Sequence, residues 1–418
     1  MSQLLRQHTV ERGIKMKKTS HFIALDAMRG LAAIVIAFGH FFGAFAPQFN
    51  GLDYQNRTGV GVAGTPLYAI FNGSAAVIFF FVLSGFVLSV KPLRTESYGA
   101  LAKSALKRWP RLAGPVLVSC VASACIGLMS WYDSTYEAAR LSGSRWFQGF
   151  SFNFFGHGPR IFDAVWEGLL TFFTGTFEYN VVLWTMRVEF LGSFLVFGFV
   201  AFLIPMKSPL LRFCLLFAGW LAVMFYKPLY SCFLVGAMLS VFHVAKEAPE
   251  LEDNWKTRLV ALAAFAVAVV IWGYTGPYKL YEFVGALFAD TPTSQTLVYT
   301  VAAILLMFLG LYVSVVRNAL SNRAGVALGQ FSFPIYLVHI LVICSLSSWL
   351  YVKLYGVLSQ FWLVTVVLAV TAIAVAASVW VLSRIDRKIT YGLDRLIGPL
   401  FTQKRDAAGS QASFSKII

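Results

Sequence analysis

The sequence predicts an all-α fold, a polytopic transmembrane bundle of about ten spans with both termini cytoplasmic. Three observations predict it. Hydrophobic residues make up 58% of the 418 and charged residues only 13%, which excludes an ordinary soluble protein. Apolar runs near the ~20 residues needed to cross a bilayer recur from Phe22 to Arg384. With both ends inside, 25 Lys and Arg fall in the inner segments and seven in the outer ones, the bias that membrane insertion produces. The chain divides into a basic cytoplasmic tail (1–21), a transmembrane body (22–385) and a basic, then polar cytoplasmic tail (386–418).

The first span, 22–46, is too long and too charged for a signal-peptide core and meets Pro47 at once, so it is expected to be retained. Ahead of it Met1 and Met16 both offer a start. The remaining spans are expected at 68–90, 111–131, 182–205, 211–227, 228–245, 257–274, 295–316, 331–353 and 361–384. Asn72-Gly73 and Gly85 interrupt the second, and Pro334 lies near the start of the ninth, where each permits a kink or a close backbone approach. The longest outer segment, 132–181, carries helical apolar spacing over 160–174, which suits an interfacial helix or an aromatic belt. No internal repeat is visible.

Other classes recede on composition. The five cysteines are odd in number and form no CxxC or Cys/His cluster, so neither a disulfide framework nor a metal site is indicated. The formal charge of +15 is scattered between apolar runs, which points to the lipid bilayer as partner and not to nucleic acid.

Chemistry-bearing residues stand out because ionisable groups inside a membrane are expensive and functional by default. Arg29 and His40 are eleven residues apart in the first span, so they share one helix face ~16 Å apart along the axis. Asp26, three residues before Arg29, can partly neutralise it. By residue counting, His40 and Glu189 lie at one depth near the outer side. There a carboxylate could orient an imidazole acting as general base. Arg187 could instead pair with Glu189. On the inner side Arg29, Ser84 and His339 could line one polar cavity, or His339 and Ser84 could serve only as helix–helix hydrogen bonds. Arg108 and Arg111, at the expected start of the third span, suit a phosphate or a lipid head group. Phe79-Phe80-Phe81 reads as packing.

These residues also carry a resemblance. Leu-Asp-x-x-Arg29-Gly-Leu-Ala with His40, Phe80-Phe81-Val82-Leu83-Ser84-Gly85, Arg108-x-x-Arg111, Leu-Trp-x-x-x-x-Glu189 and Tyr-Leu-x-His339 occur in one order. They resemble the acyltransferase-3 family of integral-membrane O-acyltransferases of bacterial surface glycans and lipids, over roughly 22–385. The resemblance implies acyl-CoA, acetyl-CoA above all, as cytoplasmic donor and His40 as catalytic histidine. It also implies Arg29 and Ser84 along the donor path, with Arg108 and Arg111 near the nucleotide phosphates. His339 is expected on the donor-binding side and Glu189 beside His40. The expected acceptor is a hydroxyl of a glycan or glycolipid at the outer face of a bacterial inner membrane. The rival from another class is a proton-coupled transporter with Arg29, His40, Glu189 and His339 as its relay; the lack of a repeat speaks against it.

Overall fold

The computed structural model describes residues 2–50, 61–149, 152, 154–245, 251–276, 278–282, 291–397 and 399, with side chains for 22–49 and from 61 on. The side chains of the first basic tail and the polar tail after 400 lie outside the described residues. The described residues are mostly helical and form no strand, and ten of the helices are long and apolar enough to cross a bilayer.

The chain opens with α1 (Ser2–Phe45), α2 (Gly73–Thr95) and α3 (Tyr98–Leu128). Three short helices follow, α4 (Ser134–Ser142), α5 (Arg145–Gln148) and α6 (Ile161–Thr174). Next come α7 (Trp184–Leu203), α8 (Pro209–Tyr226), α9 (Pro228–Ala245), α10 (Trp255–Trp272) and α11 (Pro292–Tyr312). Last are α12 (Arg323–Val342), which passes through a π turn (Ile343–Ser347) into α13 (Ser348–Leu354), and α14 (Gln360–Ile397). The end of the bundle where the α1 span begins and α14 finishes is called the tail face, and the other the loop face.

Local chemistry sets the ends. Asn72 starts α2 later than the expected 68, because its Oδ1 accepts from Ala75 N (3.0 Å) while its Nδ2 donates to Trp272 O (2.6 Å). Ser97 starts α3 much earlier than the expected 111, capping Ala100 N at 3.2 Å, and the helix then runs through Pro110 and Pro115. Arg108 and Arg111 are therefore interior helix residues, not residues of a helix N-terminus. α14 likewise continues past Arg384 to Ile397, held by an ion pair between Lys107 and Asp394.

Packing is tightest where side chains vanish. α2 lies on α9 with Gly85 and Gly236 at the crossing, where a β-carbon would run into Phe233 O or Val82 O respectively. α1 packs along α12. α8 and α10 keep broad apolar faces exposed, as lipid-facing helices do.

The 160–174 stretch is a helix with one face packed on α3 and an exposed aromatic face of Phe162, Trp166 and Phe173. It is the descending arm of a re-entrant hairpin. Gly127 near the loop end of α3 touches Pro159, Gly168 seats against Leu117, and the Trp109 indole donates to Leu169 O (3.1 Å). So α6 runs antiparallel to α3 deep into the bundle. The chain then returns: Glu167 accepts from Glu178 N and Tyr179 N (both 2.8 Å), and the Tyr179 hydroxyl bonds both Arg160 N and O (2.9 Å). Irregular backbone at this depth is tolerated because its polar groups are satisfied within the protein. The return ends at Asn180, whose Nδ2 meets Ser119 Oγ at 3.3 Å, a level well inside α3. α7 therefore starts its descent already below the loop face.

Candidate active site

That lowered start decides where Glu189 lies. Nine residues after Asn180, it is a further ~13 Å toward the tail face, and it faces Arg108 rather than His40. Arg108 Nη2 and Glu189 Oε1 form an ion pair, and Ser84 Oγ donates to the same oxygen at 2.7 Å. Arg108 Nη2 also reaches Ser84 Oγ at 3.2 Å, and its Nε donates to Ser193 Oγ at 2.7 Å. Three helices, α2, α3 and α7, are thereby tied at one point. Arg187 takes no part; its Nη1 reaches Thr174 O at 3.5 Å.

This clamp lines a cavity of about 810 Å³ between α1, α2, α3, α7, α12 and α14. Its tail-face end is bordered by Ile23, Val326, Tyr391 and Asp394, and its inner end by Val77, Thr185 and Tyr336. Arg29, Ser84, Arg108, Arg111 and Glu189 all line it, so five of the seven residues singled out from sequence converge on one space. Arg29 is held by α12, donating to Ser332 Oγ (2.9 Å) and Gly329 O (3.1 Å), with Asp26 at 3.3 Å. Asp386 and Arg387 join from the extension of α14, which the sequence reading leaves in the tail. Four arginines (29, 108, 111, 387) face four acids (Asp26, Glu189, Asp386, Asp394) across the lining. An anion entering here exchanges one set of partners for another and does not meet bare cations. Guanidinium groups suit it, since each offers a planar fork of donors.

The two histidines lie outside the cavity lining, past Tyr336. The Tyr336 hydroxyl is fixed by Val182 O and Thr185 Oγ1 (2.7 Å each), and its ring meets Phe80 at 6.3 Å and His339 at 6.1 Å. On the far side His40 Nδ1 and His339 Nε2 are 2.8 Å apart, their rings stacked at 5.1 Å. His339 therefore sits against His40, whereas the sequence reading groups it with Arg29 and Ser84. Trp146 of α5 also stacks with the His40 ring, at 5.2 Å. Ser144 positions that turn, accepting from Phe147 N (3.0 Å) and donating to Gly43 O (2.5 Å).

The hydrogen bonds determine the tautomers. His339 Nδ1 lies 3.0 Å from Ile335 O, and a carbonyl only accepts, so Nδ1 carries the proton. In a neutral imidazole the other nitrogen is then bare. His339 Nε2 must therefore accept from His40 Nδ1–H, which leaves a lone pair on His40 Nε2.

Sequence reasoning missed Ser193, Ser332 and Trp146, and gave Tyr336, part of the Tyr-Leu-x-His339 motif, no role. Ser193 had a signal, lying one helical turn from Glu189 on the same face. The others depend on how helices distant in sequence are apposed. Among the described residues no group of three or more His, Cys, Asp or Glu side chains is placed to hold a metal.

A family model described as an acyltransferase domain matches residues 22–381. O-acetyltransferase PaAT-1 of Phomopsis amygdali is 23% identical over 392 residues, covering 80% of this chain and 73% of that one. No solved structure matches the chain.

Proposed function

The chain belongs to the acyltransferase-3 family, and from that premise we propose that it moves an acyl group, most simply acetyl, from a CoA thioester to a hydroxyl of a glycan or glycolipid. It is a multi-pass membrane acyltransferase; donor, acceptor and the roles below are the proposal. The observation that carries it is the 2.8 Å contact of His40 Nδ1 with His339 Nε2, from which the tautomer of His40 follows. A bare Nε2, with Nδ1–H held by a neighbour, is what a general base on a hydroxyl requires.

In this reading the donor enters the cavity from the tail face, which the charge bias assigns to the cytoplasm. Its phosphates take guanidinium donors of Arg108 and Arg111 near the mouth. The pantetheine arm runs past Arg29 and Ser84 toward Tyr336 and must displace the Phe80–Tyr336 contact to reach His40. The acceptor hydroxyl comes from the loop face. His40 Nε2 takes its proton as the oxygen attacks the thioester carbonyl, and the C–S bond breaks. The departing sulfur receives that proton from His40, giving an O-acyl ester and free CoA. His339 keeps the ring in place throughout. Glu189 is proposed to hold Arg108 ready for the phosphates, a role different from the imidazole partner expected from sequence. The membrane is proposed to be the inner membrane of a bacterium.

The test is purified protein in liposomes with radiolabelled acetyl-CoA. Wild type should release CoA and pass label to acceptor. His40→Ala should lose about 10²–10⁴ in rate while still binding donor. Wild type that moves protons but never turns over acetyl-CoA would return the chain to the transporter reading.

A further inference from the structure

A second cavity, of about 380 Å³, opens at the loop face between the end of α3, the start of α4 and the π turn. Its lining is Ser130, Trp131, Ser134, Ser345, Leu346 and Trp349. Two local deviations coincide there. Ser130 is a non-glycine residue at φ 58°, closing α3 with Ser130 N to Gly127 O (2.9 Å) and Trp131 N to Ile126 O (3.1 Å). Opposite it α12 widens into the five-residue π turn Ile343–Ser347. Both are disfavoured local geometries of the kind that persists where surroundings impose it, often at functional sites. The walls are fastened together by Thr135 Oγ1 donating to Cys344 O at 2.5 Å.

The lining chemistry narrows the ligand. Trp131 and Trp349 are 57% and 49% exposed. Ser345 spends its hydroxyl on Leu341 O (2.6 Å), whereas those of Ser130 and Ser134 take no bond from the described residues. No Lys or Arg lines the cavity, so it is not built for a phosphate. The exposed lining is mainly apolar, from Trp131, Leu346 and Trp349, but the hydroxyls of Ser130 and Ser134 beside it would find no partner on an acyl chain. A sugar ring has the matching shape: an apolar C–H face for an indole and a rim of hydroxyls for serines. Position agrees, since Ser345 follows His339 by six residues, ~9 Å along the helix axis toward the loop face.

We propose that this cavity is a carbohydrate subsite that holds a pyranose ring of the acceptor, stacked on Trp131 and Trp349, next to the sugar whose hydroxyl meets His40. The inference rests on the acyltransferase reading above, and the ring can belong to a free glycan or a glycolipid.

The test uses the source organism's own envelope glycan, stripped of O-acyl esters with mild alkali, and radiolabelled acetyl-CoA. Trp131→Ala with Trp349→Ala should raise the apparent acceptor KM about tenfold. Donor KM and acetyl-CoA hydrolysis in the absence of glycan should not change. Ser134→Phe fills the cavity while leaving both tryptophans at the membrane interface, and should raise acceptor KM likewise. Stripped glycan should also quench wild-type tryptophan fluorescence, and lipid-linked against free glycan separates the two sources of the ring. An unchanged acceptor KM in Ser134→Phe, with hydrolysis intact, overturns the subsite and leaves the indoles as interface anchors. Absence of any transfer by wild type overturns the acyltransferase reading, and the subsite with it.

Discussion

His40 Nδ1 and His339 Nε2, on helices 299 residues apart in sequence, lie 2.8 Å from each other. A neutral imidazole thus occupies the place that a carboxylate fills in a Ser-His-Asp triad. It can orient the base but cannot neutralise the imidazolium that forms. His339→Ala is expected to lower kcat at least tenfold with donor KM unchanged, because the loss is one of orientation. His339→Gln, whose carbonyl oxygen can accept from His40 Nδ1–H, should recover much of it. A rise in donor KM at constant kcat would instead make His339 a donor-path residue, as the sequence reading has it.

The Arg108–Glu189 pair is mostly buried, with 15% and 16% of the side chains exposed. Breaking such a pair from one side leaves an uncompensated charge and costs about 3–5 kcal/mol. Arg108→Gln and Glu189→Gln should each lower thermal stability in detergent, and the double substitution should lower it less than the sum. Acyl-CoA affinity should fall with Arg108→Gln in either background. Additive losses of stability would mean that the two side chains are not coupled.

Glu96, in the turn between α2 and α3, is pulled below its ordinary pKa chiefly by Lys207 (2.7 Å), with desolvation opposing and Arg212 (3.2 Å) adding a lesser pull. A depressed carboxylate pKa adds stability that is present above its ordinary value of 4.5 and is lost as pH falls through the folded value. Glu96 is exposed, so the effect is small and weakened by salt. Melting of wild type in detergent should therefore drop more between pH 5 and about 3 than melting of Glu96→Gln. Identical acid limbs would remove Glu96 as a contributor.

Sidedness follows from α1. Arg29 lines the tail-face cavity, and His40, eleven residues on, lies outside its lining. A donor bound by its phosphates at the tail face must extend its thin arm across much of the bilayer. In sealed vesicles of known orientation, acyl-CoA on the tail-face side alone should modify acceptor supplied only on the loop-face side. Product formed only when both share the tail-face side would refute the cross-membrane route, even with every residue role intact.

By itself the sequence determined the helical architecture and singled out five residues that line one cavity. Ten apolar runs near the length of a bilayer are a one-dimensional signal, and ten helices among the described residues are long and apolar enough to cross one. The Arg29/His40 stripe is legible because helical periodicity alone places two side chains on one face. The expense of ionisable groups in a membrane marks Glu189, Arg108 and His339 without any alignment. What lay outside the sequence is who meets whom. Counting residues from an assumed membrane boundary put Glu189 level with His40, because it assumed that the 132–181 segment stays outside. The hairpin of α6 sinks into the bundle instead and lowers the start of α7, which moves Glu189 to Arg108 and leaves His40 to His339. Depth along one helix follows from rise per residue, but apposition of two helices is set by packing among all of them. Small residues such as Gly168, which let α6 seat against Leu117, carry that information only once the partner is known.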